Sequence, residues 1–324
     1  KYEGAYTPDG LTIAGEYNGV VSRPTAGSFS VDEFYAELAI PLLAGVTGVE
    51  QLDLSLAARY SDYSTFGGET TSKVGLRWQV SDQFLLRGTF AEGFRAPNVG
   101  ELFAGASGFD AVLNDPCSAN ATGGRNPNCT QLGVPASYVQ PNPQISVQTG
   151  GNINLQPEKA DSFTAGFVWS PAFASQASWS EKMDVGFSWY DHEIEDGIQA
   201  VDAQTQLNLC VQTLSPAFCT GINRNSLGAI DRFSNFLTNI GSIETSGFDV
   251  DVNWVSPAWD WGQLSTSWRN TFVEDYRAVG AAGAVQPQGV GIEVSNSAIP
   301  EWTSVLATNW SRGNLDATWT LRHI

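Results

Sequence analysis

The sequence predicts an all-β chain whose antiparallel strands form a transmembrane β-barrel wall, and three observations carry that expectation. Apolar and polar residues alternate with a period of two in run after run, as in strands with one apolar and one polar face. Many runs are long enough to cross a bilayer when tilted, whereas strands in water-soluble folds average about 5–6 residues. Short turns also alternate with long loops, which places the long loops on one rim of the sheet. A soluble β-sandwich, whose strands alternate too, is the competing architecture.

About eleven strands are expected, near 11–20, 31–42, 50–62, 71–80, 84–92, 160–170, 182–201, 229–255, 263–277, 299–311 and 314–324. In LDLSLAARY, Leu52, Leu54, Leu56, Ala58 and Tyr60 oppose Asp53, Ser55, Ala57 and Arg59. MDVGFSW sets Met183, Val185, Phe187 and Trp189 against Asp184, Gly186 and Ser188. FDVDVNW sets Phe248, Val250, Val252 and Trp254 against Asp249, Asp251 and Asn253. LDATWTL closes the series, with Leu315, Ala317, Trp319 and Leu321 against Asp316, Thr318 and Thr320. Gly241 and Gly247 mark a bulge or bend in the eighth run. No amphipathic helical pattern interrupts the strands, so the sheet is expected to be antiparallel.

Short connections fall at 43–49, 81–83 and 312–313, and long ones at 93–159, 202–228 and 278–298. Trp78, Trp169, Trp254 and Trp310 lie by the short turns, while Tyr60, Tyr63 and Tyr276 lie towards the long loops. Rings with an apolar body and a polar tip suit the two interfaces of a membrane. Glu37, Asp53, Arg59, Arg87, Asp184, Asp249, Asp251, Asp316 and Arg322 share the opposite, polar face.

The net charge of −18 over 324 residues excludes nucleic acid as a partner, because a phosphate backbone needs a basic stripe. The 4 cysteines fall into two local pairs, Cys117–Cys129 and Cys210–Cys219, each inside a loop rich in Gly, Asn, Pro and Ser. Two short disulfides and an oxidising compartment follow. Zinc would need four ligands at a definite spacing, and the chain has 2 His and no CxxC pair.

No Gly-x-Ser-x-Gly elbow or His-Glu-x-x-His motif is present, so no catalytic residue is assigned and no enzyme is expected. The dense polar cluster YDHEIED offers Asp191, Glu193, Glu195 and Asp196 as oxygen ligands for a hard cation such as Ca²⁺. The competing reading is a solvated strand end whose alternate residues face opposite sides. No other cofactor is expected.

LLRGTFAEGFRAPNVGELF resembles the barrel signature of TonB-dependent outer-membrane receptors, in which a strand rises into an Arg-Ala-Pro corner. In the same order, SVDEFYAELAIPLL (30–43), RYSDYSTFG (59–67), GGNINLQPEKADSFTAGFVWSP (150–171) and NIGSIETSGFDVDVNW (239–254) are similar to that family. Pro97 fixes its own φ and biases Ala96 towards extended geometry, so the strand stops at a set angle. Arg95 is expected to be satisfied by carboxylates near it, among them Glu92 and Glu101, or else to meet a ligand or an internal plug.

The resemblance implies a barrel of about twenty-two strands with an N-terminal plug. Residues 1–324 are therefore expected to be a partial barrel domain, with the plug and terminal strands absent. It implies residence in the outer membrane of a Gram-negative bacterium, with lipid and lipopolysaccharide as neighbours. The TonB energy-transducing complex would be engaged through a segment preceding Lys1. A scarce nutrient ligand is implied: a siderophore, vitamin or carbohydrate, imported actively. Arg95, Phe103, Phe109, Arg125, Tyr138, Phe218 and Arg224 are the loop residues expected to meet it, by stacking or by holding carboxylates. A passive porin and a secreted sandwich adhesin are the alternatives.

Overall fold

A computed structural model describes residues 1–16, 21–280, 289–294 and 297–324. Its centre is a 10-stranded antiparallel sheet. From one edge to the other, the strands are Val31–Val46, Val49–Tyr63, Gly67–Ser81, Phe84–Arg95, Glu158–Trp169, Lys182–Glu195, Ser242–Val255, Gln263–Val279, Trp302–Arg312 and Leu315–His323. Each pairs with the next in sequence among these strands, so the sheet is a meander with insertions. Ten of the expected runs are present.

The first expected strand is not. Residues Gly10–Ala14 form a short helix, because the Asp9 side chain accepts from Leu11 N and Thr12 N and holds the first turn; 17–20 lie outside the described residues. The expected run 182–201 ends at Glu195, and Asp196, with φ +56°, turns the chain away. Ile198–Gln199 then pairs with Thr238–Asn239 instead. The run 229–255 also divides: Ile230–Ser234 joins a separate small sheet, and the long strand begins only at Ser242. The bulge falls at Ser246/Gly247, where a Cβ on Gly247 would lie 2.2 Å from the Phe272 carbonyl oxygen.

Register keeps the alternation intact across the sheet. Leu38 faces Leu56, Leu56 faces Val74, Val74 faces Phe90 and Phe90 faces Phe163, all on one side. On that same side an aromatic staircase runs Phe84, Phe167, Phe187, Phe248, Phe272, Trp302 and His323, with centroid separations of 4.4–5.9 Å. It places one ring on each of seven consecutive strands, rising from the short-turn rim at Phe84 to the opposite rim at Trp302. Polar residues intrude on this face at Asn270 and Ser304, and indoles satisfy them: Trp302 Nε1 donates to Asn270 Oδ1 and Trp268 Nε1 to Ser304 Oγ. The face is open to its surroundings, with Phe34 74%, Leu38 60% and Leu321 68% exposed. An apolar surface of that extent requires a non-aqueous neighbour.

The other face is polar and internally paired. Asp53 and Arg77 are register partners with a 3.7 Å ion pair, Arg59 lies 3.8 Å from Glu33, and Arg87 Nη2 donates to Ser188 Oγ at 2.9 Å. Among the described residues, no helix is long and apolar enough to cross a membrane.

Connections 96–157, 196–241 and 280–301 leave the same rim, as the antiparallel order requires, and the turn 64–66 is a short exception on that rim. Part of the expected long loop 278–298, residues 281–288 and 295–296, lies outside the described residues. The opposite rim carries the shorter connections, 47–48, 82–83, 170–181, 256–262 and 313–314.

The first two long connections fold together. Their strands Ile222–Arg224, Ile230–Ser234, Gln144–Thr149 and Ser107–Val112 form a 4-stranded sheet in that order, joined across the two connections by a parallel contact of Phe233 with Val147. A helix, Ala203–Thr213, packs on it, which corrects the expectation that helices are absent. Its buried positions Ala203, Leu207, Cys210 and Val211 follow helical spacing, and the Asp202 side chain caps it by accepting from Thr205 N. The buried hydrophobic core of the described residues therefore sits in the loops: Leu113, Cys117, Cys129, Val134, Val147, Leu207, Val211 and Phe233 form its main cluster. Disulfides Cys117–Cys129 and Cys210–Cys219 staple it as expected.

Candidate functional site

The Arg-Ala-Pro corner joins the sheet to the loop unit. Arg95 and Glu158 are register partners at the ends of their strands. Arg95 Nε and Nη2 donate to the two Glu158 oxygens at 2.6 and 2.8 Å, while Nη1 and Nη2 donate to Glu101 at 2.9 and 3.0 Å. Glu101 belongs to the short helix Val99–Phe103, which starts with a capping box: Asn98 Oδ1 accepts from Glu101 N, and Glu101 Oε2 accepts from Asn98 N. Glu158 also accepts from Ile198 N at 2.7 Å, which ties in the second long connection. Every nitrogen of the Arg95 guanidinium is thus engaged. Of the two carboxylates expected beside it, Glu101 is a partner, whereas Glu92 accepts from Ser72 instead.

The remaining ligand-loop candidates divide by burial. Tyr138 and Arg224 lie inside the loop unit. Arg224 Nη1 and Nη2 donate to Asp115 at 2.5 and 2.8 Å, with the Asp115 side chain fully buried. Burial, and then the nearby Asp115 carboxylate, push the Tyr138 phenol up to about 12. These two side chains are committed to packing and pairing, which removes them from the ligand-facing surface. Phe103 packs against Gly27, so closely that a Cβ there would lie 2.1 Å from its ring. It borders a second cluster of Phe29, Leu102 and Leu155.

Phe109 is 43% exposed, while Phe218 and Arg125 are half-buried and line open recesses. One recess, of about 310 Å³, is bordered by Phe218, Phe236, Asn152, Thr220 and Asn239. The other, of about 530 Å³, lies between loop 114–127 and one stripe of the helix Ala203–Thr213. Arg125 and Phe218 line different recesses. Sequence reasoning missed Asn114, Gln204, Asn208 and Gln212, which line the larger one. For Gln204, Asn208 and Gln212 the signal was present as amides at a four-residue spacing beside an apolar helical stripe; Asn114 carried none.

The candidate Ca²⁺ set is not assembled. Asp191, Glu193 and Glu195 share a face but are spaced along an extended strand, where residues two apart lie roughly 6.5–7 Å from each other. Asp196 has already turned away. Among the described residues, no group of three or more His, Cys, Asp or Glu side chains has metal-binding geometry.

A family model described as TonB dependent receptor-like, beta-barrel matches residues 2–323. No protein of curated function matches the chain in sequence. Among solved structures, the siderophore receptor PirA from Acinetobacter baumannii is similar with a TM-score of 0.55 and 15% identity, over 92% of this chain and 33% of that one. A ferric enterobactin receptor mutant, PfeA from Pseudomonas aeruginosa in complex with enterobactin, gives 0.54 and 15%, over 92% and 33%. At such identities the likeness is one of fold, and the chain spans about a third of the length of these structures.

Proposed function

The chain belongs to the TonB-dependent receptor β-barrel family, and from that premise we propose that it forms the wall and outer loops of an active nutrient receptor. Its apolar face, with the aromatic staircase, meets the lipid and lipopolysaccharide of a Gram-negative outer membrane. Its polar face encloses a plug supplied by another part of the polypeptide, and that other part engages TonB. A scarce nutrient (siderophore, vitamin or carbohydrate) is captured by the loop unit outside and passed inward when the plug is displaced. No reaction chemistry is involved.

One observation carries this reading. Two long connections fold into one disulfide-stapled unit on a single rim of a sheet whose opposite rim has shorter connections. Loops that were ordered only by their ligand would lose affinity to entropy, whereas a unit with its own core arrives pre-organised. The test is uptake by cells making the complete polypeptide, offered radiolabelled ferric siderophores, cobalamin and oligosaccharides. Accumulation above a deletion strain, present only while TonB and the proton gradient are intact, is expected. Uptake that survives the loss of TonB would instead make the protein a passive porin.

A further inference from the structure

We propose that the recess beside Arg125 binds a small, hydroxyl-rich carboxylate, either a uronate-type sugar acid or a ferric hydroxycarboxylate chelate. The inference rests on the receptor reading above and narrows its ligand.

The recess, at about 530 Å³, falls within the range of small-ligand pockets, roughly 300–1,000 Å³. Five of its lining residues are neutral amides, Asn114, Asn126, Gln204, Asn208 and Gln212, beside Thr122, Arg125 and Asp115. Gln204, Asn208 and Gln212 stand at i, i+4 and i+8, one stripe of the helix, while Leu207, Cys210 and Val211 bury another in the loop core. The core therefore fixes which stripe faces the recess.

Gln204 is locked, accepting from Asn114 N at 2.7 Å and donating to Asn114 O and to Asn208 Oδ1, both at 2.9 Å. The Asn208 NH₂ group and the Gln212 side-chain amide have no hydrogen-bond partner among the described residues. Amides present donors and acceptors side by side, which matches hydroxyls, each of which does both.

Arg125 adds charge. Its Nη2 donates to Val134 O at 2.8 Å, which holds the guanidinium in place. Its buried Nε has no partner, and no carboxylate lies within ion-pair distance of it among the described residues. Asp115 also lines the recess, but its carboxylate is taken by Arg224 and by Cys117 N. An arginine left without a counter-charge in so acidic a chain is suited to a ligand carboxylate. A flat apolar ligand would find no aromatic side chain among the lining residues and would strip water from the amides without replacing their hydrogen bonds.

The experiment is titration calorimetry on the complete polypeptide in detergent, with digalacturonate, ferric citrate and neutral maltose as probes. Digalacturonate or ferric citrate is expected to bind, and which of the two does so identifies the source of the carboxylate. Maltose is expected to bind at least about tenfold more weakly. Arg125→Gln should weaken the acidic probe by about 10–100-fold, as for a charged hydrogen bond, and Gln212→Ala by about 2–10-fold. Gln212 is exposed on the helix, so its removal does not put the fold at stake. Equal affinity for maltose, or full affinity in both variants, would overturn the proposal. TonB-dependent uptake of ferric enterobactin with neither acid bound would overturn this assignment alone and leave the receptor reading standing. Acid binding without any TonB-dependent uptake would do the reverse.

Discussion

Arg95 and Glu158 face each other across two strands and meet in a two-bond fork of 2.6 and 2.8 Å, while Arg95 also holds Glu101 of the following helix. This one guanidinium sets where the sheet ends and how the loop unit begins. Both carboxylate side chains are only 18% exposed, so they would repel one another without it. Arg95→Ala should cost about 1.5–3 kcal/mol, the range for charged hydrogen bonds, with the partial exposure of the arginine favouring the lower end. Arg95→Lys should recover only part, because an ammonium cannot form the fork. Hydrogen exchange at residues 98–104 and at Ile198 checks both; unchanged protection in Arg95→Ala would reject the clamp.

The second pair, Arg224 with Asp115, is buried, and the cost of losing it depends on whether one partner or both are removed. Arg224→Met leaves the Asp115 carboxylate buried and unpaired, and should destabilise the loop unit by about 3–5 kcal/mol. Asp115→Leu combined with Arg224→Met should be milder than Arg224→Met alone. Limited proteolysis within 107–149 reports the difference; a double variant more labile than the single one would contradict it.

Tyr138 gives a pH dependence with a definite sign. In the folded unit its phenol holds its proton up to about 12, whereas in the unfolded chain it loses it near about 10. Between those values the unfolded state binds fewer protons, so stability falls as pH rises; below about 10 this residue adds no slope. Alkaline unfolding of the loop unit, followed by proteolysis within it, should show the loss; tryptophan fluorescence serves as the control for the rest of the chain, because none of the 11 Trp lies in 96–157 or 196–241. Tyr138→Phe should remove that slope.

The faces of the sheet predict an asymmetry. Phe187 lies in the aromatic staircase and Thr164 on the opposite, polar side. Phe187→Arg should cost about 2–4 kcal/mol in a bilayer, the range for a basic residue on a lipid-facing strand. Thr164→Arg should cost much less. Refolding into lipid vesicles measures both, and equal costs would argue against a lipid-facing staircase.

The sequence by itself determined the strands, their two faces, the short-turn rim, the corner at Pro97 and both disulfides. All of these are local: alternation acts between neighbours two apart, and the cysteines are separated by 12 and 9 residues. It misplaced the first strand and ran two others past their ends, because alternation does not register a capping Asp9 or a left-handed Asp196. It also overlooked the helix Ala203–Thr213, whose apolar stripe is short and set among amides.

Only the tertiary structure decided how the loops are used. Arg224 reaches Asp115 across 109 residues, and Arg95 reaches Glu158 across 63. Gln204 meets Asn114 across 90. No periodicity encodes such pairings: Arg95 meets Glu158 only once their strands pair, and the other two exist only once two separate connections share one core. Arg224 and Tyr138 thereby became interior groups, while Arg125 stayed at the edge of a recess with no counter-charge among the described residues.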